Sequence, residues 1–370
     1  MTPPKSLFSL VLGGLSIHAP GALASESAPA AAPAAAPAAA PATTLETKVP
    51  TLKLSAVTFF NYGYTFAGED AVKKQNAFNF ERAYVNIEPI LDSTWSARIT
   101  PDLAKPDATG KNYVLRLKFA YIDGKKLGDT GWGVRAGMMG TPFSEALDKA
   151  WGFRVLAKTP LDQFGVMSTA DLGVSAGYSW GGGDVRLFLL NGEGYEYVET
   201  TLGKDYALQL NQTLTEGLNL TFTTLYGTWI GGQSKFWRPK DAAGDPLSGH
   251  YDMRLATALL LTWDRGPLRA GLEGAFVRKA HEDVDAINAS SVTAYVVPKV
   301  GDAGEVPVRF VRFDPNMDSD TGKDDETMHF IAGYAHRFAG QMKVVPNAQI
   351  EIHGKDDPTI TGFVHLEGKL

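Results

Sequence analysis

From Leu52 onward, apolar residues recur at every second position. Leu52, Leu54, Ala56, Thr58, Phe60, Tyr62 and Tyr64 share one face, with Lys53, Ser55 and Asn61 on the other. Tyr113, Leu115, Leu117, Phe119 and Tyr121 alternate with Arg116 and Lys118. Leu218, Leu220, Phe222, Thr224 and Tyr226 alternate with Asn219, Thr221 and Thr223. A period of two is that of a strand with one apolar and one polar face. Segments of about 9–15 residues exceed the usual 5–6 of soluble strands and suit strands that cross a bilayer at a tilt.

The alternation predicts about sixteen strands, starting near residues 52, 77, 94, 112, 131, 171, 184, 204, 217, 251, 267, 290, 306, 327, 342 and 359. The connections after strands 2, 6, 8, 10 and 14 shrink to tight turns at Asp92-Ser93, Gly181-Gly182-Gly183, Thr215-Glu216, Arg265-Gly266 and Gly340-Gln341. The others are mostly longer and polar. Short turns at one end and long loops at the other are the habit of an outer-membrane barrel, and an even count returns both termini to the periplasm. The aromatics sort by strand end: Trp95, Trp132, Trp180, Trp263 and Phe338 at the turn end, Tyr64, Tyr113, Tyr206, Tyr226 and Tyr251 at the loop end. Two belts at the headgroup level account for this sorting. A periplasmic all-β domain, the rival reading, does not. The last strand, Ile360 to Leu370, ends on an apolar residue, as a closing strand should.

Composition narrows the picture further. The 370 residues contain no cysteine, which removes disulfides, thiolate metal sites and cysteine nucleophiles. A net charge of −6 argues against a nucleic-acid partner. Residues 1–24 read as a signal peptide, with Lys5, an apolar core from Leu7 to Ile17 and Ala22-Leu23-Ala24 before the cut. Residues 25–50 form an Ala/Pro-rich linker, a semi-rigid periplasmic spacer, and residues 51–370 the barrel.

Charge patterning then points into the lumen. The polar face carries twelve bases, Lys53, Arg82, Arg98, Arg116, Lys118, Arg135, Arg186, Arg254, Arg269, Arg337, Lys343 and Lys369. Against them stand seven acids, Glu88, Asp102, Asp252, Asp264, Glu273, Glu351 and Glu367. Such an excess favours anions through field and hydrogen-bond donors. The alternative is a wall held together by cross-strand ion pairs. The segment from Thr141 to Gly165 is too long for a turn. It carries Phe143, Trp151, Phe153 and Phe164 beside Lys149, Arg154 and Lys158. A constriction loop folded into the lumen, bringing Arg154 and Lys158 to the pore, is one reading; a loop over the rim or a subunit clasp is the other. The acidic run from Asp314 to Glu326 fails the spacing of a Ca²⁺ loop. His329, His353 and His365 lack metal-ligand spacing, and no nucleophile–base set stands out. The chain is therefore expected to be no enzyme and to need no cofactor or metal.

Several stretches, taken in order, resemble the phosphate-selective porin O and P family. Phe80-Glu81-Arg82-Ala83-Tyr84-Val85 is similar to its second strand. Phe119-Ala120-Tyr121-Ile122-Asp123 is similar to its DAYID strand. Arg135 through Pro142-Phe143-Ser144 is similar to its RxGQFKxPFS run. Asp171-Leu172-Gly173-Val174, Asn191-Gly192-Glu193-Gly194 and Arg312-Phe313-Asp314 follow. The resemblance spans about residues 55–370 and implies a sixteen-stranded barrel, usually a homotrimer, passing anions along a basic lumen. Met138-Met139-Gly140 stands where the family has a polar, basic run, a departure that bears on phosphate selection. The expected function is a passive outer-membrane channel of a Gram-negative cell for small hydrophilic, anionic solutes, with lipid and lipopolysaccharide around it. A closed or plugged barrel with an adhesive or wall-linking role through the linker is the alternative.

Overall fold

The computed structural model describes residues 50–370 apart from 71, 105–112, 197, 200–201, 230–251, 282–283, 318–324 and 340. The expected signal peptide and nearly all of the linker lie outside the described residues, as do Tyr251 and most of the acidic run.

Sixteen antiparallel strands close into one barrel. They are β1 (Thr51–Ala67), β2 (Asn76–Ile90), β3 (Trp95–Ala104), β4 (Val114–Gly124), β5 (Trp132–Gly140), β6 (Ala170–Trp180), β7 (Gly183–Leu190) and β8 (Asp205–Thr215). There follow β9 (Leu218–Trp229), β10 (Asp252–Arg265), β11 (Leu268–His281), β12 (Val284–Val300), β13 (Gly304–Glu305 and Val308–Asp314), β14 (Thr327–Gly333 and Ala335–Phe338), β15 (Met342–His353) and β16 (Thr359–Lys369). Each strand pairs with the one before it, and β1 pairs with both β2 and β16. At the seam the Ala56 and Leu370 backbones exchange hydrogen bonds of 3.0 and 2.9 Å. The interruption in β13 falls at Val306-Pro307, because proline has no N–H to give a ladder.

Fifteen starts match the alternation to within two residues. β12 begins at Val284 rather than near 290, its outer end being hidden in a polar stretch. The short connections at residues 92–93, 181–183, 215–216 and 265–266 join consecutive strands as expected, Gly340 of the fifth lying outside the described residues, and Gly217 and Gly266 take left-handed φ of 86° and 62°.

Side chains alternate between a buried inner face and an exposed apolar outer face. Leu115, Leu187, Leu259 and Leu272 are 70%, 59%, 50% and 54% exposed on the outside. A band of that kind is stable only against hydrocarbon. Trp95, Trp132, Trp180 and Phe338 at one end, and Tyr113, Tyr206 and Tyr226 at the other, point outward with it.

Two bulges correct the expected faces. Phe59 and Phe60 of β1 oppose Arg82 and Phe80 of β2, so Glu81 is an extra residue. Thr100 and Pro101 of β3 oppose Phe119 and Leu117 of β4, so Lys118 is extra there. One inserted residue moves everything beyond it to the other face. Phe119 and Tyr121, expected on the lipid side with Leu115 and Leu117, therefore face inward. Asp123, one step further, faces inward too.

Candidate functional site: the barrel interior

Between β5 and β6 the chain forms α1 (Pro142–Trp151) and α2 (Pro160–Gln163). Pro142 opens α1 at a position where no amide hydrogen bond is lost. Gly152 ends it at φ 71°, and a Cβ there would lie 3.2 Å from the Arg269 guanidinium. Inward side chains from strands around the circumference hold this segment. Gln209 of β8 donates to Pro142 O at 2.6 Å, and Arg254 of β10 to Val166 O at 3.2 Å. Arg309 of β13 donates to Lys158 O at 2.9 Å, Gln349 of β15 to Leu156 O at 3.3 Å, and Lys118 of β4 to Thr169 Oγ1 at 3.0 Å. His329 shares hydrogen bonds with Gln163 and Gln349, each at 3.1 Å.

Apolar packing holds it as well. Phe143, Leu161, Val166 and Met167 bury against Met139, Phe188, Leu190, Leu225 and the small inward residues Ala207, Ala256, Ala258, Ala275 and Ala289. Leu147, Trp151, Phe153, Val155 and Leu156 bury against Leu260, Tyr295, Val297, Ile331, Ala335 and Val345. Strands β2, β3 and β4 give no buried residue to either cluster. The interior thus has a packed side along β7–β15 and a polar wall along β2–β4, continued by Arg135 of β5.

Most of the expected basic residues are neutralised in place. Arg82 pairs with Asp102 at 3.2 Å, Arg98 with Glu88 at 3.7 Å and Arg116 with Glu196. Arg135 pairs with Asp123 at 3.1 Å, Arg254 with Asp205 and Arg269 with Glu305 at 3.4 Å. On the inserted segment Arg154 bridges Asp148 (3.3 Å) and Asp162 (2.7 Å), and Lys158 reaches Asp162 at 3.5 Å. Two neighbours of these pairs, Lys118 and Arg186, form no ion pair with a carboxylate among the described residues. Lys118 donates to the Tyr84 and Thr169 hydroxyls, and Arg186 to Ser175 Oγ at 3.0 Å.

The expected excess of twelve bases over seven acids is thereby reduced, since Asp123, Asp205 and Glu305 also face inward. Asp123 is hidden from the sequence pattern by the bulge at Lys118. Asp205 keeps step with Ala207 and Gln209, and Arg309 with Val311 and Phe313, so two-residue counting finds both. Arg309 is 2% exposed and lies 5.5 Å over the Trp151 ring. On the inserted segment, burial pushes the Asp148 carboxyl up, against Arg154 and Lys118. Burial acts the same way on Asp162, but Arg154, Lys158, Lys118 and Arg82 together hold it below the usual carboxylate range.

Two cavities flank the segment. A pocket of about 200 Å³ toward the long loops is lined by Arg82, Lys158, Asp162, Thr169, Tyr195 and Glu196. A chamber of about 640 Å³ toward the short turns is lined by Arg135, Lys149, Arg186, Asn211, Asp264 and Arg269 among others. Among the described residues no cluster of His, Asp and Glu has the arrangement of a metal site.

No family model and no curated protein matches the sequence. Solved structures do. The anion-selective porin from Comamonas acidovorans is 12% identical, with a TM-score of 0.62 over 86% of this chain and 99% of that one. OprB of Pseudomonas putida is 10% identical, TM-score 0.61, over 86% and 94%. The outer membrane channel DcaP of Acinetobacter baumannii is 11% identical, TM-score 0.58, over 86% and 96%. The fold is that of outer-membrane porins. At such identity the likeness carries the architecture of the barrel and nothing about its solute.

Proposed function

We propose that the chain is a passive channel of the Gram-negative outer membrane for small hydrophilic solutes, with a preference for anions. The observation that carries this is the polar wall. Arg82, Arg98, Arg116, Lys118 and Arg135 line one continuous strip from the outer pocket to the inner chamber, Arg186 stands at its lower end, and apolar packing leaves the strip free. Lys118, buried midway along the strip, and Arg186 at its lower end form no ion pair with a carboxylate, which supports a net positive field along the strip. The inserted segment acts as the constriction, with Arg154 and Lys158 at its edge. The 12%-identical relative whose name includes anion selectivity supports the same direction. Phosphate is one candidate solute, although the inward Met139 lies in the apolar cluster where the O and P porins are basic. The outward apolar face takes lipid and lipopolysaccharide, and association into a homotrimer follows the trimer form of the 11%-identical Vibrio cholerae OmpT. Residues 1–24 direct export and residues 25–50 serve as the periplasmic linker.

Planar-bilayer recordings in a salt gradient test this. The expected result is open steps with a reversal potential favouring chloride over potassium, weakened when Arg116, Lys118 and Arg135 are replaced jointly by Gln. A preference for potassium would remove the anion reading and leave a general diffusion channel.

A second reading has its own observation. The two apolar clusters bury the inserted segment as tightly as a soluble core, with Trp151 and Phe153 2% and 0% exposed. A plugged barrel with a structural role, anchored through the linker, fits that packing. Stable bilayer insertion without conductance steps would favour it.

A further inference from the structure

Aromatic rings meet the interior on two different terms. On the packed side Trp151, Phe153 and Tyr295 are sealed off, and the cations over them, Arg309, Arg269 and Lys343, are part of the packing. On the polar wall Tyr84, Phe119 and Tyr121 remain partly exposed, although Tyr121 also packs against the first apolar cluster, and Tyr195 of the loop after β7 stands beside them. Cations alternate with them. Arg82 lies 5.0 Å over Tyr84, and Lys118 lies 5.3 Å from both Tyr84 and Tyr195. Arg98 lies 4.5 Å over Phe119, and Arg135 lies 4.4 Å over Tyr121.

The register makes these contacts a series. Tyr84 opposes Asp102, which opposes Arg116; Thr100 opposes Phe119 beside the bulged Lys118; Arg98 opposes Tyr121; Asp123 opposes Arg135. The series descends from the outer pocket to the chamber that holds Arg186. The bulge at Lys118 creates it, because without the extra residue Phe119 and Tyr121 would face lipid.

Cations alone attract any anion. Interleaved ring faces add attraction only for a solute that is itself planar. Its π face then lies against a ring or a guanidinium, while its carboxylate meets Arg186, which lines the chamber and forms no ion pair of its own; the buried Lys118 acts on it only through its field. The outer pocket of about 200 Å³ suits a single-ring molecule better than an oligomeric one. We infer that the polar wall selects planar aromatic monocarboxylates, acids of the benzoate type, over aliphatic and inorganic anions; this rests on the anion-channel reading above.

The test uses the full chain in planar bilayers, with chloride current recorded while benzoate, cyclohexanecarboxylate or inorganic phosphate is added to one side. Benzoate and cyclohexanecarboxylate share charge and approximate size and differ in the π system. Half-block by benzoate is expected at about five- to tenfold lower concentration than by the saturated acid, and below that of phosphate. In Phe119→Leu and Tyr121→Leu, which keep an apolar side chain on the same face, the ratio should fall toward one. Equal block by both acids in a chloride-preferring channel overturns the aromatic selection and leaves the anion channel standing. Tighter block by phosphate overturns it in favour of inorganic anions. A preference for potassium, or no open steps, overturns the channel reading and this inference with it. The comparison of the two acids needs no variant, so a misfolded Phe119→Leu protein does not decide the outcome.

Discussion

The walls formed by β7–β15 and by β2–β4 share one two-residue alternation yet carry different chemistry. On the first, the inward positions are often alanine, at 207, 256, 258, 275 and 289, and the space they leave is filled by Phe143, Leu161, Val166 and Met167. On the second, the inward positions are long and polar or aromatic, Arg82, Tyr84, Arg98, Arg116 and Lys118, and none of them joins the apolar clusters. Small residues opposite a bulky insert give the close packing of a soluble interior, whereas long charged ones hold a space open for water and solute. The barrel is therefore better described as half core and half channel than as a uniformly polar tube. The anchor for the core is the inserted segment, so changes on the packed side should alter how much of the interior is open. Changes on the polar wall should alter mainly what passes.

The largest effect is expected from Trp151→Ala. The ring is buried, packs on Phe153 at 5.4 Å and on Tyr295 at 5.3 Å, and its removal should cost about 3–5 kcal/mol. That loss should loosen residues 141–169 and raise single-channel conductance severalfold, while the closed barrel still shows heat-modifiable gel migration. Phe119→Ala on the polar wall should leave the segment in place. Equal conductance in wild-type protein and Trp151→Ala would mean that the packed half does not limit the opening.

Much of this architecture is legible in the order of residues along the chain, and the reason is the strictness of period two. A strand with lipid on one side and polar groups on the other tolerates few exceptions, so the starts of fifteen strands can be counted. What alternation conceals is an insertion. Lys118 and Phe119 are adjacent and both face inward, a situation counting by twos cannot represent, and Asp123 is lost with it. The pairing of bases with acids is only half visible. Arg269 and its partner Glu305 lie on strands that are not neighbours, and Glu196 belongs to a loop, so cross-strand counting has no means of joining them. The division of the lumen depends on where residues 141–169 lie, which follows from the fit between alanines and aromatics far apart in sequence.

A smaller effect separates two lysines. Lys343, on the packed side, sits 2.8 Å from Glu367 and 4.7 Å over Phe153. Lys343→Gln leaves a buried carboxylate with one partner fewer and should lower thermal stability by about 3 kcal/mol without changing reversal potential. Lys118→Gln should lower the chloride preference by about twofold, with a smaller loss of thermal stability through its hydrogen bond to Thr169 Oγ1. A reversal of these two outcomes, selectivity moving with Lys343 and stability with Lys118, would remove the functional division between the sides.

The smallest expected effect is a response to pH in the inserted segment, where two carboxylates are shifted in opposite directions. Asp162 lies below the usual range because Arg154, Lys158, Lys118 and Arg82 outweigh its burial. Its contribution to holding the segment is therefore complete above the ordinary carboxylate value and is lost only as pH falls through the depressed one. Asp148 is raised by burial, so its ionised form is held at a cost, and that cost is relieved as pH falls through the raised value. Acidification from neutrality thus protonates Asp148 first and tightens the segment slightly; release through Asp162 comes below the ordinary value of 3.8. His329 hydrogen-bonds Gln163, so the measurement belongs in a His329→Gln background. There, conductance should stay level or fall slightly between about pH 7 and 5. Asp148→Asn should abolish that fall, and Asp162→Asn should show a looser, more conductive segment already at neutral pH. A conductance that climbs steadily from pH 7 to 5 would mean that Asp148 works with Arg154 as an essential ion pair, and that the packed side is held by charge more than by its apolar fit.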